Sequence, residues 1–526
     1  MVVALAAVVA AACSSGDPIL DAGIDPTAPP PPPQTAAPGE TLPPTIPATT
    51  TTTPFADLPE CPVDALGDGD DPVEITYWHG LGARARRRSR ISSPGTTTAR
   101  TAVRVRLQNQ GGYNETIDKY LQSGADGRPE LVLMPEYMLA QMVDSESVVP
   151  ADVCVNESDF DMSAFLPRVR SAYVTGGVLW GMPFNVSGPV LYFNKKMFRE
   201  AGLDPNKPPE TLEEIRRYSQ RLVDSGAPGT GIALDSGQDN GGGWFLEQWF
   251  AKGKKLYADN ANGRSAPATQ VLYDDPFGVD LLSDVRKLVD DGLAAHVGAN
   301  PSGYDSFLKL ADPKRPAAMT IGTSAALGTL ITTLDGGLVP GITSEQFGVG
   351  PMPGPATQPG VLLGGASLYV VADKDDEQTA AAWDFVEYAV SAEVQSTWAS
   401  RTGYVPVRSD AIDIEPLRTT YDDDPRFKVA YDQLNAATED PSAFGPVIGP
   451  LREIRATNSN AVGAILNGGR SGGRTGEGRL TGQPPHPQLQ HPQQLTPTRP
   501  APGPGRTTVW AGFVPRHGLG GNCANC

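Results

Sequence analysis

From Val73 onward the chain alternates short β-branched runs with stretches whose apolar residues recur at helical spacing, and that alternation leaves few architectures open. Residues 73–78, 103–108 and 131–134 read as strands. Between the last two, 114–123 reads as a helix with Ile117, Tyr120 and Leu121 on one face. Residues 190–193 form a further strand, and Asn194 can cap a helix that Gly202 ends. Thr211 and Glu214 make a T-x-x-E capping box for a helix whose stripe is Leu212, Ile215 and Leu222, ending at Gly226. Residues 280–291 are helical, with Leu281, Val285, Leu288 and Val289 inward. Strands follow at 317–321 and 368–371, then a helix at 376–390 that buries Trp383, Phe385 and Val386. Repetition of this kind predicts α/β lobes with mainly parallel strands.

The flanks do not share the pattern. Met1 to Ala12 is a Val/Ala/Leu run that ends at Cys13 and is followed by Ser14, Ser15, Gly16 and Asp17. Small residues before such a cysteine resemble a bacterial lipoprotein signal (1–13), which implies lipidation of Cys13 and export. The run lacks a basic segment, so the translation start is expected upstream. Residues 14–60 are rich in Pro, Thr, Ala and Gly and hold too few large apolar side chains to fold, which suits an extended stalk. Cys61 and Cys154 then lie in the folded part of an exported chain, in a compartment that permits them to form a disulfide.

Two segments break the alternation inside and after the folded region. In 83–102, where a first helix should return from the first strand, the chain carries Arg84, Arg86, Arg87, Arg88 and Arg90 and then Ser, Pro, Gly and Thr, with no apolar stripe. Residues 470–526 are Gly, Pro, Gln, Arg and Thr with one acidic residue, Glu477. Both read as reading-frame artefacts of the underlying gene. The alternatives are a basic nucleic-acid patch and, for Cys523 and Cys526, a redox or metal motif; the latter lacks the strand–helix context that chemistry needs. The net charge of −18 argues against nucleic acid as a partner.

The most specific signal is local. Gly-Met-Pro-Phe-Asn-Val-Ser-Gly-Pro-Val-Leu-Tyr-Phe-Asn at 181–194 runs into Lys-Lys-Met-Phe-Arg-Glu-Ala-Gly-Leu-Asp at 195–204, with Pro-Pro-Glu-Thr-Leu at 208–212. Gly-Gly-Ala-Ser-Leu-Tyr at 364–369, Thr-Gly-Tyr-Val-Pro at 402–406 and Leu-Arg-Glu-Ile-Arg at 451–455 follow. Across 72–469 the chain resembles the extracellular solute-binding proteins of the maltose-binding-like class. Within that class it is most similar to the sn-glycerol-3-phosphate-binding proteins of ABC importers.

The resemblance implies a periplasmic-binding-protein-like fold, two α/β lobes joined by a hinge crossed more than once, with ligand in the cleft between them. It further implies a ligand set of Tyr113, Glu136, Ser187, Trp244, Ser324, Gly365, Tyr404 and Arg455. In it Tyr113 and Glu136 hold the glycerol part, Ser187, Ser324 and Gly365 donate hydroxyl or backbone N–H groups, and the Arg455 fork grips phosphate. Each also has a plainer reading: a turn hydroxyl, a tight backbone, a packed aromatic, or a surface ion pair such as Arg452 would make. The family places two tryptophans in the cleft; here Trp244 matches one, and the other position falls in 239–243, which widens the pocket toward a glycerophosphodiester such as glycerophosphocholine. A sugar or oligosaccharide stacking on Trp244 is the alternative, and Trp249 reads as core.

The expected function is capture of glycerol-3-phosphate or a glycerophosphodiester such as glycerophosphocholine, or alternatively of a sugar or oligosaccharide, followed by lobe closure and delivery to a membrane permease driven by a separate ATPase, with the chain anchored by lipid on the extracytoplasmic face. No cofactor and no metal is expected. Catalysis is not expected either: no H-E-x-x-H, G-x-S-x-G or Walker A motif occurs, His486, His491 and His517 lie in the aberrant tail, and His79 and His296 read as partnerless. A cell-surface adhesive protein would share the anchor and stalk but would need neither the cleft nor these motifs.

Overall fold

Strand segments that read as continuous apolar runs are the ones covered on both faces. In the computed structural model, which describes residues 58–67, 71–81, 102–226, 229–300, 303–339, 342–357, 360–437 and 440–468, the strands in chain order are as follows. They are β1 (Val73–His79), β2 (Val103–Asn109), β3 (Leu131–Pro135), β4 (Val148–Val149), β5 (Val174–Thr175), β6 (Val178–Leu179) and β7 (Met182–Ser187). Then come β8 (Pro189–Asn194), β9 (Thr230–Leu234), β10 (Ala294–His296), β11 (Ala317–Thr323), β12 (Phe347–Pro351) and β13 (Gly364–Val371). Every residue of β3, β7, β8 and β9 is buried. All the described residues lie in one compact unit.

Two sheets carry the two lobes. The first has the order β2-β1-β3-β13-β4, with β7 paired to β13; the second has the order β10-β9-β11-β8-β12. β5 and β6 make a small hairpin. The expected parallel sheets are corrected here to mixed ones. β1 runs parallel to β2 and β3, and β9 runs parallel to β10 and β11. β13 is antiparallel to β3, β4 and β7, and β8 is antiparallel to β11 and β12. The reason is the chain's path: β7 leads directly into β8 of the other sheet through Gly188, and the connection from β12 to β13 returns to the first sheet. Strands entered from the other lobe arrive from the opposite direction, whereas strands joined by crossover helices stay parallel.

The local signals are realised with small shifts. Asn194 accepts N–H bonds from Lys196 and Met197 at 3.0 and 3.1 Å, and Gly202, at φ +69°, follows the helix Lys195–Glu200. Thr211 caps Leu212–Asp224 by accepting the Glu214 N–H at 3.0 Å, but the Glu214 carboxylate accepts from Glu210 N–H, one residue before the cap, so the reciprocal box is displaced. The helix Pro276–Asp290 buries Leu281, Val285 and Leu288 and leaves Val289 partly buried. The helix Asp376–Ala389 buries Trp383, Phe385 and Val386 against β1. Trp249 is core, its indole N–H donating to Pro353 O at 3.2 Å.

The folded part begins earlier than the stalk boundary implied. Leu58 packs against the core, and a 3-10 turn at Val63–Ala65 lies against Asp376–Ala389. Cys61 is bridged to Cys154 of the helix Ala151–Glu157, with Cα atoms 5.1 Å apart and a sequence separation of 93. Cys13, the signal and most of the stalk, nearly all of 83–102, and 470–526 lie outside the described residues. No helix among the described residues is long and apolar enough to cross a membrane.

A covalent link across so long a loop removes much of the unfolded chain's freedom. Replacing both Cys61 and Cys154 by serine is expected to lower the unfolding free energy by ~2–4 kcal/mol. Urea unfolding with and without reductant checks this; a wild-type midpoint indifferent to reductant contradicts it.

Candidate ligand-binding site

The carboxyl ends of the parallel strands β1, β2 and β3 form one edge of the first sheet, the place where open α/β sheets collect ligands. Tyr113 opens the helix Tyr113–Gln122 beyond β2, and Glu136 opens a 3-10 turn, Glu136–Met138, beyond β3. Ser187 is the last residue of β7, and its backbone pairs with Gly364 of β13. Gly365 sits at φ +106°, and a side chain there would strike the Asn185 carbonyl, so only glycine lets these strands approach. On the second lobe, Ser324 follows β11. Its N–H donates to Gly188 O at 2.8 Å, and its hydroxyl accepts the Gly188 N–H at 3.3 Å.

Tyr404 is fixed from two sides. The neighbouring Val405 N–H donates to Val186 O at 2.7 Å, and the Tyr404 ring stacks on Trp398 with centroids 5.5 Å apart. Trp244 starts the helix Trp244–Lys252. It is buried, its ring lies where a side chain on Gly364 would be, and its indole N–H has no acceptor among the described residues. Of the expected set, Glu136 and Arg455 line one cavity, from which Tyr113, Ser187, Trp244, Ser324, Gly365 and Tyr404 are absent; Tyr113 and Tyr404 are linked through Asn185 of β7, Trp244 lies against Gly364 beside Gly365, and Ser324 holds Gly188 next to Ser187.

Arg455 is the most constrained of them. In the helix Leu451–Leu466 the buried stripe is Leu451, Ile454, Arg455, Asn458, Val462 and Leu466, so a cation occupies a core position. It is 3 % exposed. Its Nε donates to Glu247 Oε1 and its Nη2 to Glu247 Oε2, each at 2.7 Å, and Nη2 also donates to Glu136 Oε1 at 3.1 Å. The guanidinium carbon lies 4.7 Å from the centroid of the Tyr137 ring. Burial alone would lower the arginine's pKa, but the two carboxylates raise it and keep it charged. Removing the arginine from such a buried group typically costs ~3–5 kcal/mol because carboxylate charge is left uncompensated. Arg452, one helical turn away, makes the surface pair expected of it, with Asp118 at 2.6 Å.

Two residues of this site were not singled out from sequence. Glu247, 2 % exposed, holds the Arg455 fork. A lone carboxylate within Trp-Phe-Leu-Glu-Gln-Trp-Phe, a helix buried nearly all round, is the signal that could have found it, because a buried charge demands a partner. Asn185, fully buried, donates through Nδ2 to the Tyr113 hydroxyl at 2.9 Å and interacts with Tyr404, while its Oδ1 has no donor among the described residues. It lies within the Gly-Met-Pro-Phe-Asn motif but carried no marker of its own. A cavity of about 500 Å³, counting the solvent at its mouth, is lined by Glu136, Tyr137, Glu247 and Arg455 together with Arg264 and Phe444.

The histidines divide. His79 is buried, and burial lowers its pKa to about 4 while a contact with the Leu81 backbone opposes the shift. His296 is not partnerless: Nδ1 lies 3.1 Å from Asn467 Oδ1 and Nε2 3.3 Å from Ser236 Oγ. Among the described residues no group of three or more His, Cys, Asp or Glu could hold a metal ion.

The chain belongs to the bacterial extracellular solute-binding protein family, whose pattern matches residues 96–429, more than half of its length. It is a substrate-binding component of an ABC importer. It is 26 % identical over 409 residues to the sn-glycerol-3-phosphate-binding periplasmic protein UgpB of Yersinia pseudotuberculosis serotype I (strain IP32953), covering 75 % of this chain and 88 % of that one. Against the UgpB of Escherichia coli (strain K12) it is 24 % identical over 414 residues, covering 77 % and 90 %. Among solved structures it resembles UgpB from Mycobacterium tuberculosis in complex with glycerophosphocholine, with a TM-score of 0.57, 21 % identity, and coverage of 70 % of this chain and 86 % of that one. The GacH receptor of Streptomyces glaucescens GLA.O, solved unliganded and with acarbose, gives a TM-score of 0.57 at 19 % identity, covering 75 % and 93 %. The fold is therefore the two-lobed one of periplasmic binding proteins.

The Glu136 carboxyl is pushed up to about 7, first by burial; Arg455 opposes the rise and Glu247 adds to it. The folded protein thus keeps a proton that the unfolded chain, near its ordinary 4.5, has released. This group favours the fold below pH 4.5 and loses that contribution as pH climbs through about 7. Glu136→Gln is accordingly expected to raise the ligand-free melting temperature at alkaline pH relative to wild type, with the difference shrinking as the solution is acidified. Melting curves across that range check it; a difference that does not change with pH contradicts it.

Proposed function

We propose that this chain captures a glycerophosphodiester of the glycerophosphocholine kind for an ABC importer, held by lipid at Cys13 on the extracytoplasmic face and delivering its solute to a permease driven by a separate ATPase. The observation that carries this reading is the buried Arg455 guanidinium beside the Tyr137 ring, with Glu136 and Glu247 against it, where the two sheets meet. A zwitterionic diester matches such a site: its phosphate oxygen meets the arginine, and its quaternary amine finds aromatic faces and carboxylates. Glycerol hydroxyls would meet Glu136 and the Asn185 Oδ1, which lacks a donor among the described residues. The names of the relatives, glycerol-3-phosphate-binding proteins, and the glycerophosphocholine held by a structural neighbour support the same chemistry.

A sugar is favoured by one specific observation. Both arms of the Arg455 fork facing Glu247 are already bonded, which leaves a site rich in acceptors and suited to hydroxyls.

Thermal-shift titration separates the two. Glycerophosphocholine is expected to raise the melting temperature saturably, because a ligand that binds only the folded form stabilises it with concentration. Arg455→Lys keeps a charge against Glu247 but loses the planar fork, and is expected to weaken that binding by about tenfold or more. Stabilisation by a disaccharide and none by the diester would contradict the proposal.

A further inference from the structure

We infer that Arg264 is an interlobe clasp: placed by a left-handed turn of the second lobe, it fastens onto the carbonyl end of a first-lobe helix beside the cavity and draws the ligand-free protein toward its closed form. The inference needs the two lobes and not the identity of the solute.

Arg264 lies between β9 and β10, both strands of the second sheet, whereas the helix Pro167–Ala172 lies between β4 and β7 of the first. Across that boundary Arg264 Nη1 donates to Ser171 O at 3.1 Å and to Val174 O at 3.4 Å, and Nη2 donates to Ala172 O at 3.3 Å. Its Nε donates to Gly445 O at 2.8 Å. The segment around Gly445 is fastened to the second lobe, because Asn262 Nδ2 donates to Phe444 O at 2.9 Å and Val447 N–H donates to Asn262 O at 2.8 Å. The grip is returned from the first lobe. Arg168 Nη1 donates to Ala443 O at 3.0 Å, and both guanidinium carbons lie near the centroid of the Phe444 ring, at 4.4 Å for Arg168 and 5.8 Å for Arg264.

The backbone ahead of Arg264 is strained. Asn260, Ala261, Asn262 and Gly263 take φ of +50°, +53°, +62° and +78°, four successive residues in the left-handed region. Ala261 has no polar side chain to favour that conformation, so its surroundings must impose it. Asn262 does so from within, its Oδ1 accepting the N–H groups of Tyr257 and Ala258 at 2.7 and 2.9 Å. Gly263 completes the turn where a side chain would strike the Val447 carbonyl. The turn ends at Arg264 and fixes its backbone.

The chemistry of the clasp suits a contact that must be released. All four acceptors are backbone carbonyls. Burial, and then Arg168, push the Arg264 pKa down to about 10, which leaves it charged at neutral pH. Carbonyls at a helix C-terminus lack intrahelical donors and favour a cation. When the lobes part, water replaces the guanidinium at a neutral carbonyl with little net change, whereas a buried carboxylate would be left as an uncompensated charge. Such a clasp biases the balance between open and closed forms without locking it. Ala172, Arg264 and Phe444 line the same cavity as Arg455, so closing the clasp also closes the wall around a solute.

Small-angle scattering of the ligand-free mature protein and of Arg264→Ala, with circular dichroism to verify folding, tests this. The variant is expected to show the larger radius of gyration, and saturating glycerophosphocholine to bring both proteins to one value. Calorimetry is expected to show the dissociation constant raised by about fivefold or more, since less of the variant occupies the closed form. If Arg264→Ala does not fold, Arg168→Gln removes the reciprocal bond to Ala443 and is expected to expand the ligand-free protein in the same sense. A ligand-free radius unchanged in a folded variant, or a wild type that contracts on adding solute as much as the variant does, overturns the clasp. Failure of the diester to bind wild type overturns the proposed function instead, and the comparison of the two ligand-free proteins then decides the clasp alone.

Discussion

One buried cation between two carboxylates is the constraint around which the site is arranged. Arg455 comes from the last described helix, Glu247 from the helix after the Gly-rich segment that follows β9, and Glu136 from the turn beyond β3. Three segments far apart in sequence must therefore meet within hydrogen-bond distance, and none of the charged groups can be left alone at that depth without a large desolvation cost. The ion group is better understood as fixing geometry than as adding stability, since a well-packed apolar replacement would serve stability equally well. What it specifies is the position of a guanidinium edge at the junction of the lobes. Arg452 and Asp118 add a second link nearby between the last helix and the first sheet's helix Tyr113–Gln122.

Around that junction the chain is built to let two bodies move while keeping the site together. The crossing through Gly188 is a single residue between two fully buried strands. The Ser324 backbone and hydroxyl grip that residue from the second lobe, so the hinge itself carries site residues. A hinge of this kind absorbs lobe rotation in a few backbone angles, and a solute that contacts both sides shifts the balance toward the closed form. Two of the buried hydrogen-bonding atoms without partners among the described residues, Asn185 Oδ1 and Trp244 Nε1, fall in this region. Such atoms are costly unless something meets them, and a bound polar solute does.

Much of this was legible in the chain. Strand and helix periodicity located the elements it named to within a few residues, and β3 and β8 read as strands for the reason that they are buried throughout; β7 and β9, equally buried, and the helices Trp244–Lys252 and Leu451–Leu466 were not read. Arg455 stood out because a motif carried it, and its place in an apolar helical stripe agrees with a buried role. Strand direction was not legible, because period-2 patterning says which face is buried and nothing about which way a neighbour runs. Only the path of the chain between the two sheets decides that. The Glu247 partnership was likewise hidden, since it joins residues 208 positions apart, and no local rule pairs them. Asn185 lay in view as a letter of a motif, but its role as the hub between Tyr113 and Tyr404 exists only in three dimensions.

The central claim is that a solute lies between the lobes against the Arg455 guanidinium. A crystal structure of the mature protein grown with glycerophosphocholine tests it most directly. The account predicts the phosphate within hydrogen-bond distance of Arg455 Nη1, with Glu136 on one side and Ser324 or Trp244 on the other. A ligand bound at an outer surface, with Arg455 still enclosed by its two carboxylates and touching nothing else, would contradict it.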